Sequence, residues 1–501
     1  MTLTLKHFHS FEYPMAACTV CITAIILLFS AGLLPPLIPA AIASALFCAA
    51  AAVHIRKGGL TAAILPLALI ALASVSLCNF EYKCSQTERA MRKSDTAVLL
   101  ITDEPLSESK NKLQVKARVI SSDILACGTG VELTLPESEV SMGDKLSADI
   151  RVTRFAAQLS LNSRANGILA EVKCSGEPYV IGRNAFISAA GAARKYVREL
   201  FRSSLPESES SVLCALITGD RSAVTDELQE AVRGAGLSHV LVVSGMHLAT
   251  LMSGLTVLLR LLCVGEKLQV AVKLICVAFF SAVCGFTMSV LRAGVTFVLA
   301  AFAVPLRRSP SPVNILGGAV SLILAVSPFA VFSISFELSV LSTLGILVVM
   351  PILSDAVLSY IPHNRIIRSL VNCFTGSIAA MLMTMPVVIW NFGEFSAVAP
   401  ITNVLVSYPV SWALLTAALG LLLSPVPFIY EPFLRISGLL IKWFSSVALY
   451  LGSDSVMLPI GKAGCAVFTA ILILTLLWIY KTEERRRNLK LKRVMTENEH
   501  N

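Results

Sequence analysis

Between Leu216 and Leu248 the chain reads LITGDRSAVTDELQEAVRGAGLSHVLVVSGMHL, a polar turn and helix that run without a linker into an apolar segment holding His239, Ser244, Gly245 and His247. Imidazole and hydroxyl groups bind, relay protons or attack, and at the head of a membrane-length helix they are costly to hold unless they have work or partners. On a helix each residue advances by about 100°, so Ser244 and His247 share a face and His239 lies about 80° round from His247, two turns earlier. One chemistry this suggests is hydrolysis by a Ser244 nucleophile with His247 or His239 as base. Residues three apart on one helix rarely reach nucleophile and base geometry, and Asp220 is the one carboxylate placed to orient the base. The other chemistry is polar lining of a path, with Gly245 allowing close helix approach; the bland version is that each histidine merely hydrogen-bonds a neighbouring helix.

The elements that must position these residues are membrane helices. Hydrophobic residues make up 55% of the 501 and charged ones 15%, where soluble domains carry about 25% charge. The mean hydropathy is +0.75. Apolar runs near 15–31, 37–53, 60–78, 239–260, 270–286, 289–305, 313–326, 335–353, 370–390, 399–423, 437–451 and 463–480 predict about twelve spans, the shortest of them re-entrant. Basic residues in the short loops, Arg56 and Lys57, Lys267 and Lys273, Arg307 and Arg308, Arg365 and Arg368, and the tail KTEERRRNLKLKR, alternate onto one side. By the excess of Lys and Arg in cytoplasmic loops, both termini are expected in the cytoplasm and residues 79–236 outside it. The net charge of +9 is accounted for by those loops and the tail.

From about Asn79 to Arg183 the membrane pattern stops. LQVKARVIS, GVELTLP and DKLSADIRVTRF alternate apolar and polar residues at period two, separated by turn-forming SSD, CGTG and SMGD. This predicts a small antiparallel β domain, most simply an open barrel of the oligonucleotide- or oligosaccharide-binding kind, with a sandwich as the alternative. Aromatic residues for stacking single-stranded bases are scarce in it. Of thirteen cysteines, Cys84, Cys127 and Cys174 fall in this domain, and Cys127 with Cys174 is the expected disulfide. No C-x-x-C pair with zinc spacing stands outside the apolar segments, so no metal and no cofactor are expected.

After the β domain, NAFISAAGAARKYVRELFRSSLP carries apolar residues at helical spacing and Arg194, Arg198 and Arg202 every four residues on another face. Such a helix lies on a membrane surface with its charges at headgroups, or else faces a phosphate polymer. Gly219-Asp220-Arg221-Ser222 reads as a turn, Thr225 as a helix N-cap, and Gly234 to Gly236 as the stop before a second helix that starts near Ser238. Two further charges stand in apolar spans: Arg292 in GFTMSVLRAG and Glu337 in SFELSVLSTLG. They are expected to pair, to share a water-filled vestibule or to snorkel toward the outer interface, because an unpaired charge in a bilayer costs several kcal/mol. Downstream, Pro386, Pro400 and Pro409 punctuate MTMPVVIWNFGEFSAVAPITNVLVSYPVSW, with Asn391, Glu394 and Asn403 between them. Broken helices of this kind line pathways. The residues alone thus predict a translocation path with its substrate unspecified.

The run ITGDRSAVTDELQEAVRGAGLSHVLVVSGMHL also resembles the signature of the ComEC-type competence membrane channel family, in which a Gly-Asp turn leads to a His-Leu-x-x-x-Ser-Gly-x-His helix. SVLRAG, FELSVLSTLGI and the stretch from MPVVIWNFGEFS through NVLVSYPV match further motifs in order, so the resemblance covers about 205–425. It implies a channel subunit that passes single-stranded DNA through the cytoplasmic (inner) membrane in natural transformation. It also implies a DNA receptor, a cytoplasmic motor and a separate nuclease as partners, besides membrane lipids and further copies of the chain. Asp220, Arg221, His239, Ser244, Gly245, His247, Arg292, Glu337, Asn391 and Asn403 would then line the path or its entrance, with Arg292 the phosphate contact. The H-x-H-x-D-H cluster of the nuclease-like domain that many members carry is absent, so the chain is expected to act in passage and not as an enzyme. A small-solute transporter and an intramembrane hydrolase are the other classes of function these residues allow. The expected division is 1–78 helical bundle, 79–183 β domain, 184–236 amphipathic and juxtamembrane helices, 237–480 channel domain and 481–501 basic tail.

Overall fold

The computed structural model describes residues 61–109, 112–136, 138–303, 311–358, 364–426, 428–452, 457–459, 461, 464 and 468–471, with Met15, Cys18–Val20, Ile22–Ala24 and Ile26. The apolar run 37–53, most of the runs 15–31 and 463–480, and the tail 481–501 lie outside the described residues.

The run expected at 60–78 is the first half of a longer helix, α1 (Thr61–Arg89). Its sequence NFEYKCSQTER contains neither Gly nor Pro, so nothing stops it at residue 79. The first strand begins only at Ser94. Seven strands follow: β1 (Ser94–Ile101), β2 (Leu106–Ser109), β3 (Lys112–Ser121), β4 (Gly130–Pro136), β5 (Asp144–Phe155), β6 (Ile168–Cys174) and β7 (Tyr179–Arg183), with a one-turn helix α2 (Leu161–Ala165) before β6. The strand order β1-β3-β4-β6-β5 closes on itself through β1–β5 pairing, which makes a small barrel. Its core comes from alternate residues, among them Leu99 and Ile101, Val115 and Val119, Leu133 and Leu135, and Leu146 and Ile150. That is the period-two pattern of the sequence read inward.

One pairing departs from the antiparallel expectation: β4 and β6 run parallel, with Gly130 beside Ile168 and Thr134 beside Lys173. β5 bypasses β4 to pair with β1, and β6, antiparallel to β5, fills the gap beside β4 in the same direction as β4. The same register separates the expected disulfide partners. Cys127 precedes Gly130 at one end of the pair, whereas Cys174 lies six residues beyond Ile168 at the other. At about 3.3 Å per residue that is roughly 20 Å, where a disulfide spans at most about 7 Å between α-carbons. Both thiols are free, and the Cys174 thiol donates to the Gly176 carbonyl at 3.0 Å.

Segment 184–236 forms α3 (Ala185–Ser204), capped by Asn184, then α4 (Glu207–Thr218) and α5 (Asp226–Gly234), capped by Thr225. The remaining helices are α6 (Ser238–Leu241), α7 (Gly245–Leu261), α8 (Glu266–Val283), α9 (Met288–Ala303), α10 (Pro312–Val326), α11 (Ile334–Leu344), α12 (Met350–Leu358), α13 (Arg365–Phe392), α14 (Ala399–Leu423) and α15 (Tyr430–Leu451). A π turn at Gly345–Val349 joins α11 to α12 as one apolar helix, because Gly345 packs directly on the Ala379 carbonyl of α13. Short strands β8 (Glu394–Ser396) and β9 (Met457–Pro459) pair antiparallel. Among the described residues four helices are long and apolar enough to cross a membrane: Ile334–Leu358, Arg365–Phe392, Ala399–Leu423 and Tyr430–Leu451. Shorter apolar helices lie at Gly245–Leu261, Met288–Phe302 and Pro312–Val326.

Helices α3 to α5 share one core with the α14–α15 hairpin, built from Phe201, Val212, Leu216 and Leu228 on one side and Val410, Leu414, Leu434 and Phe444 on the other. Ser210 to Thr218 are buried without interruption. Both ends of α14 touch this segment: the Tyr196 hydroxyl bonds the Ser424 hydroxyl at 2.7 Å, and Thr402 donates to the Ala235 carbonyl at 2.8 Å. The expected breaks in α13 and α14 are helical. Pro409 frees the Leu405 carbonyl four residues earlier, and the Trp443 indole N–H supplies the missing donor at 3.1 Å.

Candidate functional site

The Gly-Asp turn closes α4. Gly219 ends that helix with φ +82, a left-handed conformation open to glycine. Asp220 then accepts the Ser222 amide at 3.1 Å and hydroxyl at 2.6 Å with one oxygen, and the Arg198 guanidinium at 2.7 Å with the other. Burial pushes its carboxyl up, but the Ser222 donors and the Arg198 charge outweigh this and hold it below the usual carboxylate range. Arg221 is exposed. Among the described residues it makes no ion pair.

The turn that ends α5 is clamped from the other side of the molecule. Gly236 has φ +72, and a β-carbon there would meet that of Ala399 at 2.5 Å. The Ser396 hydroxyl donates to the Gly234 carbonyl at 2.6 Å, and Arg233 pairs with Glu394. His239 follows on α6.

The helix expected from Ser238 is broken. It stops at Leu241, and Val242 and Ser244 are extended. Two consecutive β-branched valines favour that conformation. Val243 is pinned between Cys284 and Val290, with its carbonyl accepting the Ser289 hydroxyl at 2.9 Å. Ser244 is therefore the N-cap of α7 and not an interior residue. The Nδ1 atom of His247 accepts the Ser244 amide at 2.8 Å and lies 3.2 Å from the Ser244 hydroxyl. His247 thus plays the part that Glu or Gln plays in a capping box. Because Nδ1 accepts from an amide, the ring proton sits on Nε2, which is buried with no partner among the described residues.

Against this helix start lies Arg292 of α9. Its side chain is 7% exposed. Its guanidinium packs on Gly245, where a β-carbon would come within 3.0 Å of Nη2. Nε donates to the Ser339 hydroxyl of α11 at 2.8 Å. Among the described residues no carboxylate comes within ion-pair distance of it. The expected pair with Glu337 is not formed: Glu337 and Ser339 are two positions apart, a rotation of about 200° on the helix, so the face that meets Arg292 carries the serine. The structure brings Ser244, Gly245, His247 and Arg292 together, and adds Ser289 and Ser339, which their sequence contexts did not single out. Asn391 and Asn403 stand apart. Asn391 is exposed and bonds its own helix at Val387, whereas Asn403 donates to Ser377 at 2.8 Å and keeps a buried Oδ1 with no partner among the described residues.

The three arginines of α3 have separate fates. Arg194 is buried, donates to the Val283 carbonyl and pairs with Asp103 at 2.8 Å. Arg198 joins Glu104 to Asp220. Arg202 is exposed. Two of the cations expected at headgroups or phosphates are thus taken up by carboxylates of the barrel's β1–β2 connection. Burial pushes Asp103 up, yet Arg194 and Lys116 together bring its carboxyl below the usual range.

Fold and site together define a helical membrane protein with an inserted β barrel, in which a buried arginine with no carboxylate beside it among the described residues meets a capped helix start. Residues 216–484, more than half of the chain, match the family described as Competence protein, and the chain belongs to that family. It is similar to ComE operon protein 3 of Bacillus subtilis (strain 168), 25% identical over 299 residues that make up 58% of this chain and 37% of that protein. The match therefore spans well under half of the relative's length. No solved structure matches the chain.

Proposed function

We propose that the chain is a channel subunit that carries single-stranded DNA across the cytoplasmic membrane in natural transformation, and that it is not itself an enzyme. Arg292 carries this reading: it is a buried cation whose one side-chain partner among the described residues is the neutral Ser339, at the junction of three helices. An arginine so placed has unspent donors and charge for a phosphodiester. The barrel supports the reading too. Its closed five-strand order, with one parallel pair between the third and fifth barrel strands, supports a barrel of the oligonucleotide- or oligosaccharide-binding kind. The His247 geometry weighs against hydrolysis, since its Nδ1 is engaged by a backbone amide and among the described residues no carboxylate orients the ring.

Lipids, a DNA receptor, a motor and a separate nuclease are the partners this role requires. The termini are assigned to the cytoplasm and the barrel to the opposite side on the charge pattern of the loops. The test is entry of labelled DNA into the cytoplasm of cells carrying a clean deletion, complemented with wild type, Arg292→Ala or Arg292→Lys at equal membrane levels. Uptake lost in the deletion and in Arg292→Ala, and partly restored by lysine, is expected. Normal uptake in the deletion strain refutes the proposal.

A further inference from the structure

We propose that the barrel's last strand and the first turns of α3 form a foot that seats in lipid at the membrane interface, so that the barrel is held by the bilayer as well as by protein contacts. The strand β7 pairs with β5 through Tyr179 to Arg183 and makes no other strand pairing among the described residues. Tyr179, Val180 and Ile181 are 71%, 46% and 57% exposed. Successive strand residues point to opposite faces, so this tip is bare on both and contributes nothing to the barrel core. An edge strand bearing three consecutive exposed apolar residues is a liability in water unless something covers it.

Continuity identifies the cover. Two residues past the strand Asn184 caps α3, and Phe186 in the first turn of that helix is half exposed. Its ring meets Phe279 of α8 edge-on at 6.4 Å between centroids. One turn below Phe279 on the same apolar helix, Ile275 is 68% exposed. Past Arg183 and the capping Asn184 the apolar surface resumes at Phe186 and, through its contact with Phe279, reaches the exposed Ile275 of α8, which lies in the apolar run 270–286 expected to span the membrane. A tyrosine at the upper edge of such a surface suits the headgroup boundary, where its ring is apolar and its hydroxyl wet. Arg183 at the strand's end, exposed beyond its ion pair with Asp144, has the stem and charge to reach a phosphate headgroup. The occupant is therefore lipid, and a second chain adding a strand to the same edge is the competing outcome.

The full chain in lipid nanodiscs tests this. A benzoyl-phenylalanine photoprobe replaces Tyr179 in one preparation and the exposed Asp123 in another, and adducts are identified by mass. Severalfold more phospholipid adduct from position 179 than from 123 is expected. Introducing V180D with I181D beside the 179 probe should abolish that excess while the barrel amides keep their exchange protection. Equal lipid labelling at the two positions, or an adduct at 179 with a second copy of the chain in place of lipid, overturns the proposal. The readout involves no DNA and is independent of the channel reading.

Discussion

At the level of single residues, the site turns on who satisfies whom. His247 spends Nδ1 on the Ser244 amide and so starts α7. Replacing it with alanine should cost about 1 kcal/mol in capping and speed hydrogen exchange of the Gly245 to Leu248 amides about fivefold, and glutamine, which can reach back as in a capping box, should restore protection. Unchanged exchange in the alanine variant would show that the cap contributes nothing. That histidine and serine stand together was legible from their spacing. That they form a cap was not, because the break at Val242–Val243 is held by Ser289 and Cys284 from elsewhere in the chain. Arg292 was legible as a costly intramembrane charge. Its partner was not, since Glu337 and Ser339 differ by a helix rotation that only the packed orientation of α11 decides.

Among the elements, the glycines of the α5 stop and the strands of the barrel make the sharpest claims. Gly236→Ala places a side chain at positive φ and against Ala399. It should destabilise by about 1–3 kcal/mol, read as a lowered unfolding temperature of the purified protein. In the barrel, the parallel β4–β6 register keeps Cys127 and Cys174 apart. Thiol alkylation of the oxidised, denatured protein followed by peptide mapping should find both residues modified, and a linked peptide pair would contradict the register. Period-two alternation revealed the strands and their inward faces. It carried no information on pairing order, because parallel and antiparallel neighbours present the same alternation.

At the scale of the whole molecule, the barrel is tied to the helical domain at several points. Phe80 of α1 stacks on Phe329 at 3.8 Å, Asn166 of the loop before β6 meets Ser333, and Asp103 and Glu104 hold Arg194 and Arg198. The last tie is pH-dependent. Asp103 has a folded-state value below its ordinary 3.8, so its contribution is fully present above that value and is lost as pH falls through the lower folded one. Proteolysis of the β1–β2 connection should therefore stay slow from neutral pH to about 4 and accelerate below it, with Asp103→Asn fast throughout. A flat profile for the unmodified chain would show that the other ties suffice.

Composition and periodicity by themselves determined that the chain belongs in a membrane, that a β domain interrupts its helices, and that the 216–248 segment and Arg292 are where polar groups meet apolar spans. These are local facts, since burial in lipid, strand alternation and capping each depend on a few neighbouring residues. Tertiary structure alone decided that α1 runs on into the barrel, that the barrel closes with one parallel pair, and that two of the arginines of α3 are spent on Asp103, Glu104 and Asp220. It also decided that Arg292 rests on Gly245 and Ser339 and, among the described residues, meets no carboxylate. Ion pairs and helix faces of this kind join residues tens to hundreds of positions apart. Their free energy depends on distances that no stretch of sequence encodes alone.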